Sequence, residues 1–371
     1  MGKRALQWAP VALGLVCLLS LAYLQRARAL AGQNDFAALY AGGRLAGTPD
    51  LYSRPANQAL VQSVVGVRME DVVYTRPPFY TAILKPLSLL PYRAAYALFS
   101  LATLSSLVWF VWRFSNDCPE LPFFAALNLP ALAALVEGQD TPLLVAFTGG
   151  ALLLIRRRRD LAAGLLLSLC AIKFHLFLFI PLLLLLKRRW RILGGAALGT
   201  ALLTLFAVLV AGPGSLKAYL ATLRSNVANP YAEMMPNLHG LITVLQALPW
   251  IEAALSILVI AGFLAIALRT NNFELLFGTA IVFGLQVSFH SELMDDVLLL
   301  PAFVAVVSQS SSPSIRIAMA LILTPIPYFF ALAGAPYSAV FPAALFLVLG
   351  TFVAVLLPRR NSLALNRGNP G

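Results

Sequence analysis

Charge is scarce in this chain. Only 11% of its 371 residues are Asp, Glu, Lys or Arg, against 60% hydrophobic residues and a mean hydropathy of +0.83. A soluble core of that length does not require so much apolar sequence, so most of it must face lipid. Cysteine is scarcer still: Cys17 and Cys170 lie inside apolar runs, Cys118 sits in a short polar interval, and no pair has metal-ligand spacing. No metal or redox role is expected of them. The chain also lacks a strand, Gly-rich turn and helix unit for a nucleotide, and it lacks an inverted internal repeat of the kind that builds many transporters. The net charge of +12 falls in short basic runs between apolar segments, as topology signals do, which argues against nucleic acid as a partner.

What is present is a succession of apolar segments. The reading is an all-α, polytopic membrane protein made of one integral domain. Segments at Trp8–Leu24, Ala94–Trp112, Leu121–Val136, Pro142–Ile155, Ile192–Ala211, Ile251–Leu268, Phe273–Phe289, Leu293–Ser308, Ile317–Ala333 and Ser338–Leu357 are each expected to cross. Ala29-Leu30-Ala31 has the form of a signal-peptide cleavage site, but Arg26 and Arg28 stand just before it, so the first segment is expected to stay as a helix. Leu161–Leu186 is different. Basic clusters at Arg156–Arg159 and Lys187–Arg191 flank it and should share one face, yet its 26 residues reach only ~39 Å as a helix, too little for two full crossings. It should be a pair of short helices broken near Lys173. Counted as two, the pair brings the total to twelve membrane segments with both termini cytoplasmic. That topology puts 16 of the 27 Lys and Arg residues, and four of the 15 acids, on the cytoplasmic side. Residues 25–93 and 212–250 then form the two large outer loops, the first punctuated by turns into short helices.

Ionisable residues collect on the outer face of this topology. Asp35 in Asn34-Asp35-Phe36 follows the first segment, and Arg76, Glu137, Asp140, Lys173, His175, His290, Glu292, Asp295 and Asp296 join it, with the neutral amide of Gln139 between Glu137 and Asp140. Each has an ordinary structural alternative. Asn34 or Asp35 could cap a helix running to Arg44, Arg76 could meet headgroups, Lys173 could snorkel, and His290 or Asp295 could close a helix end. Lys173 is the hardest to explain that way, because an ammonium at membrane depth needs an anion or a wet cavity.

Several of these residues lie in motifs. They are Asp35-Phe-x-x-x-Tyr40-x-x-Gly43, Tyr74-x-x-Pro77-Pro78-Phe79 leading into Pro86 to Tyr92, Gly138-Gln139 with Thr141, the lysine at the helix break before Pro181, and Ser288-x-His290 before Asp295 and Pro301. From about Asp35 to Pro301 the chain resembles glycosyltransferase family 87, the GT-C-like membrane enzymes that use polyprenyl-phosphate sugars. Phe174 and Phe289 depart from that pattern, where proline is expected. The resemblance implies a bacterial inner-membrane hexosyltransferase, mannosyltransferase-like and inverting. It implies a polyprenyl-phosphate-sugar donor and a lipid or glycan acceptor; the sequence itself assigns no cofactor and no metal ligands. Asp35 matches the general base. Arg76, Lys173 and His290 are the candidates for the donor phosphate, with His175, Asp295, Gln139 and Tyr40 also placed at the substrate. The rival reading is a transporter or flippase for a lipid-linked or anionic substrate, with a purely structural membrane protein behind it.

Overall fold

A computed structural model describes residues 3–66, 72–225 and 231–357. Glu70 and Asp71 of the first polar interval, and Arg359, Arg360 and Arg367 of the basic count, lie outside the described residues. Among the described residues every regular element is a helix. In order they are α1 (Lys3–Leu30), α2 (Phe36–Arg44), α3 (Arg54–Val65), α4 (Thr81–Ser88), α5 (Tyr92–Phe114), α6 (Leu121–Ala126), α7 (Leu129–Glu137), α8 (Thr141–Arg156), α9 (Asp160–Ser168), α10 (Phe179–Leu186), α11 (Trp190–Ala211), α12 (Ser215–Leu223), α13 (Leu238–Val244), α14 (Pro249–Arg269), α15 (Phe273–Val287), α16 (Leu299–Val307), α17 (Pro313–Leu323), α18 (Pro325–Leu332) and α19 (Val340–Leu356).

Six helical stretches are long and apolar enough to cross a bilayer, and a seventh is added if α17 and α18, bent by 43° at Thr324, form one span. That is fewer than the twelve crossing segments expected. Leu121–Val136, expected as one span, is two short helices, because Asn128 turns its side chain to the Ala131 amide and starts α7 anew. Leu293–Ser308 opens with a 3-10 turn at Leu293–Leu298 before α16. The difference has a physical origin. Every residue of α16 and nearly every residue of α15 is buried by neighbouring helices, whereas α1 and α11 are largely exposed. A helix enclosed by protein is as apolar as one facing lipid but need not match the bilayer thickness.

Four helices share one orientation relative to the ionisable residues. Arg156, at the end of α8, pairs with Asp117 and with Glu274 at the start of α15, and lies 3.5 Å from the Ser308 hydroxyl beyond α16. Their opposite ends carry Thr141, Ser288 and Asp295. For α9 the marker is Asp160, 3.7 Å from Arg189 at the start of α11. The segment between those two residues therefore leaves one end of the bundle and returns to it. Its turning point is Lys173, the one residue of the 3-10 stretch Leu169–Phe177 with non-helical angles (φ −130°, ψ 60°). The outgoing arm is pressed on α11: a Cβ on Gly164 would fall 2.0 Å from the Ile192 carbonyl, and one on Gly195 2.2 Å from that of Leu161. Glycine at both positions lets the two backbones touch, as small residues do between membrane helices.

One end of the bundle is thus basic and the other carries the Asp35 group. Helices of about 16 residues run only ~24 Å, so those that reach water at Arg156 stop inside a ~30 Å hydrocarbon layer at the other end. Labelling tests the sidedness. Gln62 in α3 and Arg188 are both exposed. In a Cys17→Ser background, an impermeant maleimide added outside should modify Gln62→Cys and leave Arg188→Cys untouched; the reverse would overturn the topology.

Candidate active site

Asp35 ends a short link from α1 to α2 whose geometry is set by its neighbours. The Asn34 amide donates to the Ala29 carbonyl (3.3 Å), and the Tyr92 hydroxyl donates to the Asn34 side chain (2.7 Å). Phe36, wholly buried, packs among Tyr92, Tyr96 and Phe99 at centroid distances of 5.7, 5.7 and 5.0 Å. Neither Asn34 nor Asp35 caps α2 with its side chain. The Asp35 carboxylate instead accepts a hydrogen bond from Gln139 Nε2 at 2.8 Å.

Gln139 is the centre of the group. Its Nε2 also donates to Glu292 (2.9 Å), and its Oε1 accepts from Arg76 (2.9 Å) and Lys173 (3.2 Å). One amide thus faces two carboxylates with its donors and two cations with its acceptor, which fixes its orientation. Gly138 permits the approach: it closes α7 at φ +68°, and a Cβ there would lie 2.8 Å from that of Phe36.

Arg76 enters from the loop before the 3-10 turn Pro78–Tyr80. Tyr52 donates to its carbonyl (3.0 Å), and its guanidinium grips Asp140 with Nε (2.7 Å) and NH2 (3.3 Å). NH1 reaches the Thr75 hydroxyl at 3.3 Å. Asp140 precedes α8 but, like Asp35, makes no side-chain cap. Lys173 is fully buried, with Nζ 2.5 Å from Asp295, 3.3 Å from Thr141 and 3.7 Å from Asp140. Asp295 does two things. Its Oδ1 takes Lys173 and the Thr141 hydroxyl (3.1 Å), while Oδ2 accepts the Glu292 backbone amide (3.0 Å) in a reciprocal capping box. The helix-end role considered for it is therefore real, and the ion pair is additional.

Beside this network lies a narrow cleft lined by Arg76, His175, His290, Phe289, Tyr219 and Thr75 among others. His175 is buried among Phe174, Phe289 and His290 at centroid distances of 5.7, 5.1 and 5.6 Å. Its Nε2 has no hydrogen-bond partner. His290 lies 4.0 Å from Glu292, and burial pushes its imidazole toward the neutral form. The second loop closes on this turn through the Asn237 amide, which donates to the Ser288 carbonyl at 2.8 Å. Phe174 and Phe289, the two positions where proline was expected, meet each other at 6.0 Å. No group of three or more His, Cys, Asp or Glu among the described residues is arranged to hold a metal ion.

A model of glycosyltransferase family 87 matches residues 74–291, more than half of the chain. The chain belongs to that family. It is a membrane glycosyltransferase, and it must bring a sugar donor and an acceptor together. No curated protein and no solved structure matches it. The match takes in Arg76, Gln139, Lys173, His175 and His290 of the transferase; Asp35 and Tyr40 precede it, and Glu292 and Asp295 follow it.

The fold therefore joins Asp35, Gln139, Arg76, Lys173 and Asp295 in one network, with His175 and His290 on the adjoining cleft. Tyr40 is apart. Its hydroxyl donates to the Leu90 carbonyl at 2.8 Å and its ring lies against Tyr92. Asp140, Thr141 and Glu292 belong to the network as well, although the resemblance gives them no place at the substrate. Glu292-x-x-Asp295 has the spacing of a reciprocal cap, and that spacing was the available signal.

The state of Asp35 follows from its surroundings. Burial, then the nearby Glu292 carboxylate, push its carboxyl from the usual range up to about 7, with Glu137 adding to the rise and the Gln139 hydrogen bond and Lys173 opposing it. A carboxylate with that proton affinity can take a proton near neutral pH.

Proposed function

We propose that the transferase moves a hexosyl group, mannosyl by its resemblance, from a polyprenyl-phosphate donor to a hydroxyl of a lipid or glycan acceptor. The reaction takes place at the outer face of a bacterial inner membrane. One observation carries this reading: the Asp35 carboxylate is spent on no helix cap, stands partly exposed, and is tied through a single amide to Arg76 at the rim of a cleft.

Asp35 accepts the proton of the acceptor hydroxyl. The acceptor oxygen bonds to the anomeric carbon, the bond from that carbon to the phosphate oxygen breaks, and the electron pair leaves with the polyprenyl phosphate. A single displacement inverts the anomeric centre. The transition state carries oxocarbenium character and a departing anion, so donors are needed on the phosphate side. Arg76 has one NH1 hydrogen left for the cleft after Asp140, Gln139 and Thr75 are served. His290 and His175 complete that wall and present imidazoles to the same anion. Lys173 and Asp295 stand one layer behind and hold Gln139 and Thr141 in place, while Tyr40 fastens α2 to the Leu90 turn.

Reconstituted protein supplied with radiolabelled polyprenyl-phosphate mannose and an envelope lipid extract should produce labelled glycolipid. Movement of intact donor across the bilayer without transfer would replace this reading with the flippase.

A further inference from the structure

Glu292 has no role in the reaction as described above, yet it shares a hydrogen-bond donor with Asp35. The two hydrogens of Gln139 Nε2 go one to each carboxylate, at 2.8 and 2.9 Å, which holds the two oxygens about 5 Å apart on one side of the amide. The amide cannot turn over without setting its carbonyl against both acids and its donors against Arg76 and Lys173. Glu292 is held on its own side as well, since its side chain accepts the Asp295 backbone amide in the capping box.

The cations of the network are already matched. Asp140 takes Arg76 in a forked contact, and Lys173 has Asp295 at 2.5 Å with Asp140 at 3.7 Å. Glu137 at the end of α7 adds a further acid facing Asp35, offset in part by Arg28 of α1. The remaining titratable groups that face the pair are Tyr92 of α5, whose hydroxyl is given to Asn34, and His290, 4.0 Å from Glu292. Lys173 favours the charged form of Asp35 and Arg76 that of Glu292, but each cation is held closer by its own carboxylate, Asp295 and Asp140.

We propose that Glu292 is a positioning residue for the base: its carboxyl group, bridged to that of Asp35 by the two hydrogens of Gln139 Nε2, holds Asp35 in place and strengthens it as a proton acceptor. Two like charges at this distance in a partly buried site repel, so Glu292, after burial itself, raises the proton affinity of Asp35. A base whose proton affinity sits near the working pH transfers protons from a hydroxyl most effectively. This inference rests on Asp35 being the base, and its test separates the two ideas.

The full-length protein in nanodiscs, labelled with 13C at the aspartate carboxyls, can be titrated by NMR, with the Asp35 resonance assigned by its loss in Asp35→Asn. In parallel, the acid limb of the rate of mannosyl transfer from polyprenyl-phosphate mannose is followed against pH. In Glu292→Gln, which keeps the cap and loses the charge, the Asp35 midpoint should fall by about one unit or more, and the acid limb should move with it. Glu292→Asp should restore both toward wild type, and Glu292→Ser, another capping residue, serves as a second neutral variant if the glutamine protein does not fold. An Asp35 midpoint unchanged in the neutral variants overturns the pairing. A midpoint that falls while the acid limb stays fixed upholds the pairing and removes Asp35 as the base.

Discussion

Asp35→Asn should lower turnover by roughly 10²–10⁴-fold while donor affinity barely changes. Asparagine keeps the size of the side chain, and its carbonyl oxygen can still accept from Gln139 Nε2, so the network survives. What is lost is the capacity to take the acceptor proton. Because neither Asp35 nor Asn34 caps α2, the substitution has no helix-end consequence to confuse the result. Asp35→Glu should also be poor, since moving the carboxylate by one methylene breaks its alignment with the acceptor. The wild-type rate should rise with pH through about 7, because the base must be deprotonated and its carboxyl is held near that value. An Asp35→Asn enzyme running near the wild-type rate would pass the base role to Glu292, which shares the same amide and is more exposed than Asp140 and Asp295, the other carboxylates of the network. Asp295 could not take it, being wholly buried against Lys173.

Lys173→Met should be a folding mutation before it is a binding mutation. The family resemblance makes Lys173 a candidate for the donor phosphate, a role in which its loss would weaken binding and leave the fold intact. In the structure Lys173 is fully buried, does not line the cleft, and is the ionic partner of Asp295 with Asp140 close by. Removing one member of a buried pair leaves the other charge uncompensated, at a cost of about 3–5 kcal/mol. Unfolding in mixed micelles should register that loss. Lys173→Met combined with Asp295→Asn should be less destabilised than the sum of the single changes, because the pair is then removed together. Full stability of the single mutant, with donor affinity lost, would instead return Lys173 to the phosphate.

That Asp35 is available to substrate depends on what its side chain does not do, and capping preference is a local property that sequence reads well but cannot refuse. Asn34-Asp35-Phe36 looks like a helix start, and α2 does start there. The Asp35 side chain is nevertheless drawn to Gln139, 104 residues away, by Gly138 and by the aromatic cage around Phe36. No pattern within a few residues contains that information.

Composition alone determined that the chain is a helical membrane protein, because too little charge remains to cover a soluble surface. The basic runs around Leu161–Leu186 and the shortness of that segment also determined the helix break, since two clusters on one face require a return and 26 residues cannot make two full crossings. Asp160 and Arg189 meet as that argument demands. Tertiary structure decided how many segments are of crossing length, because an apolar helix enclosed by protein has the same composition as one in lipid. It also decided which ionisable residues share a network. Long-range contacts bring one residue each from the links before α2 and α4, from the break at Lys173 and from the turn before α16 onto the glutamine of the link before α8, and those distances are set by packing between helices rather than by spacing along the chain.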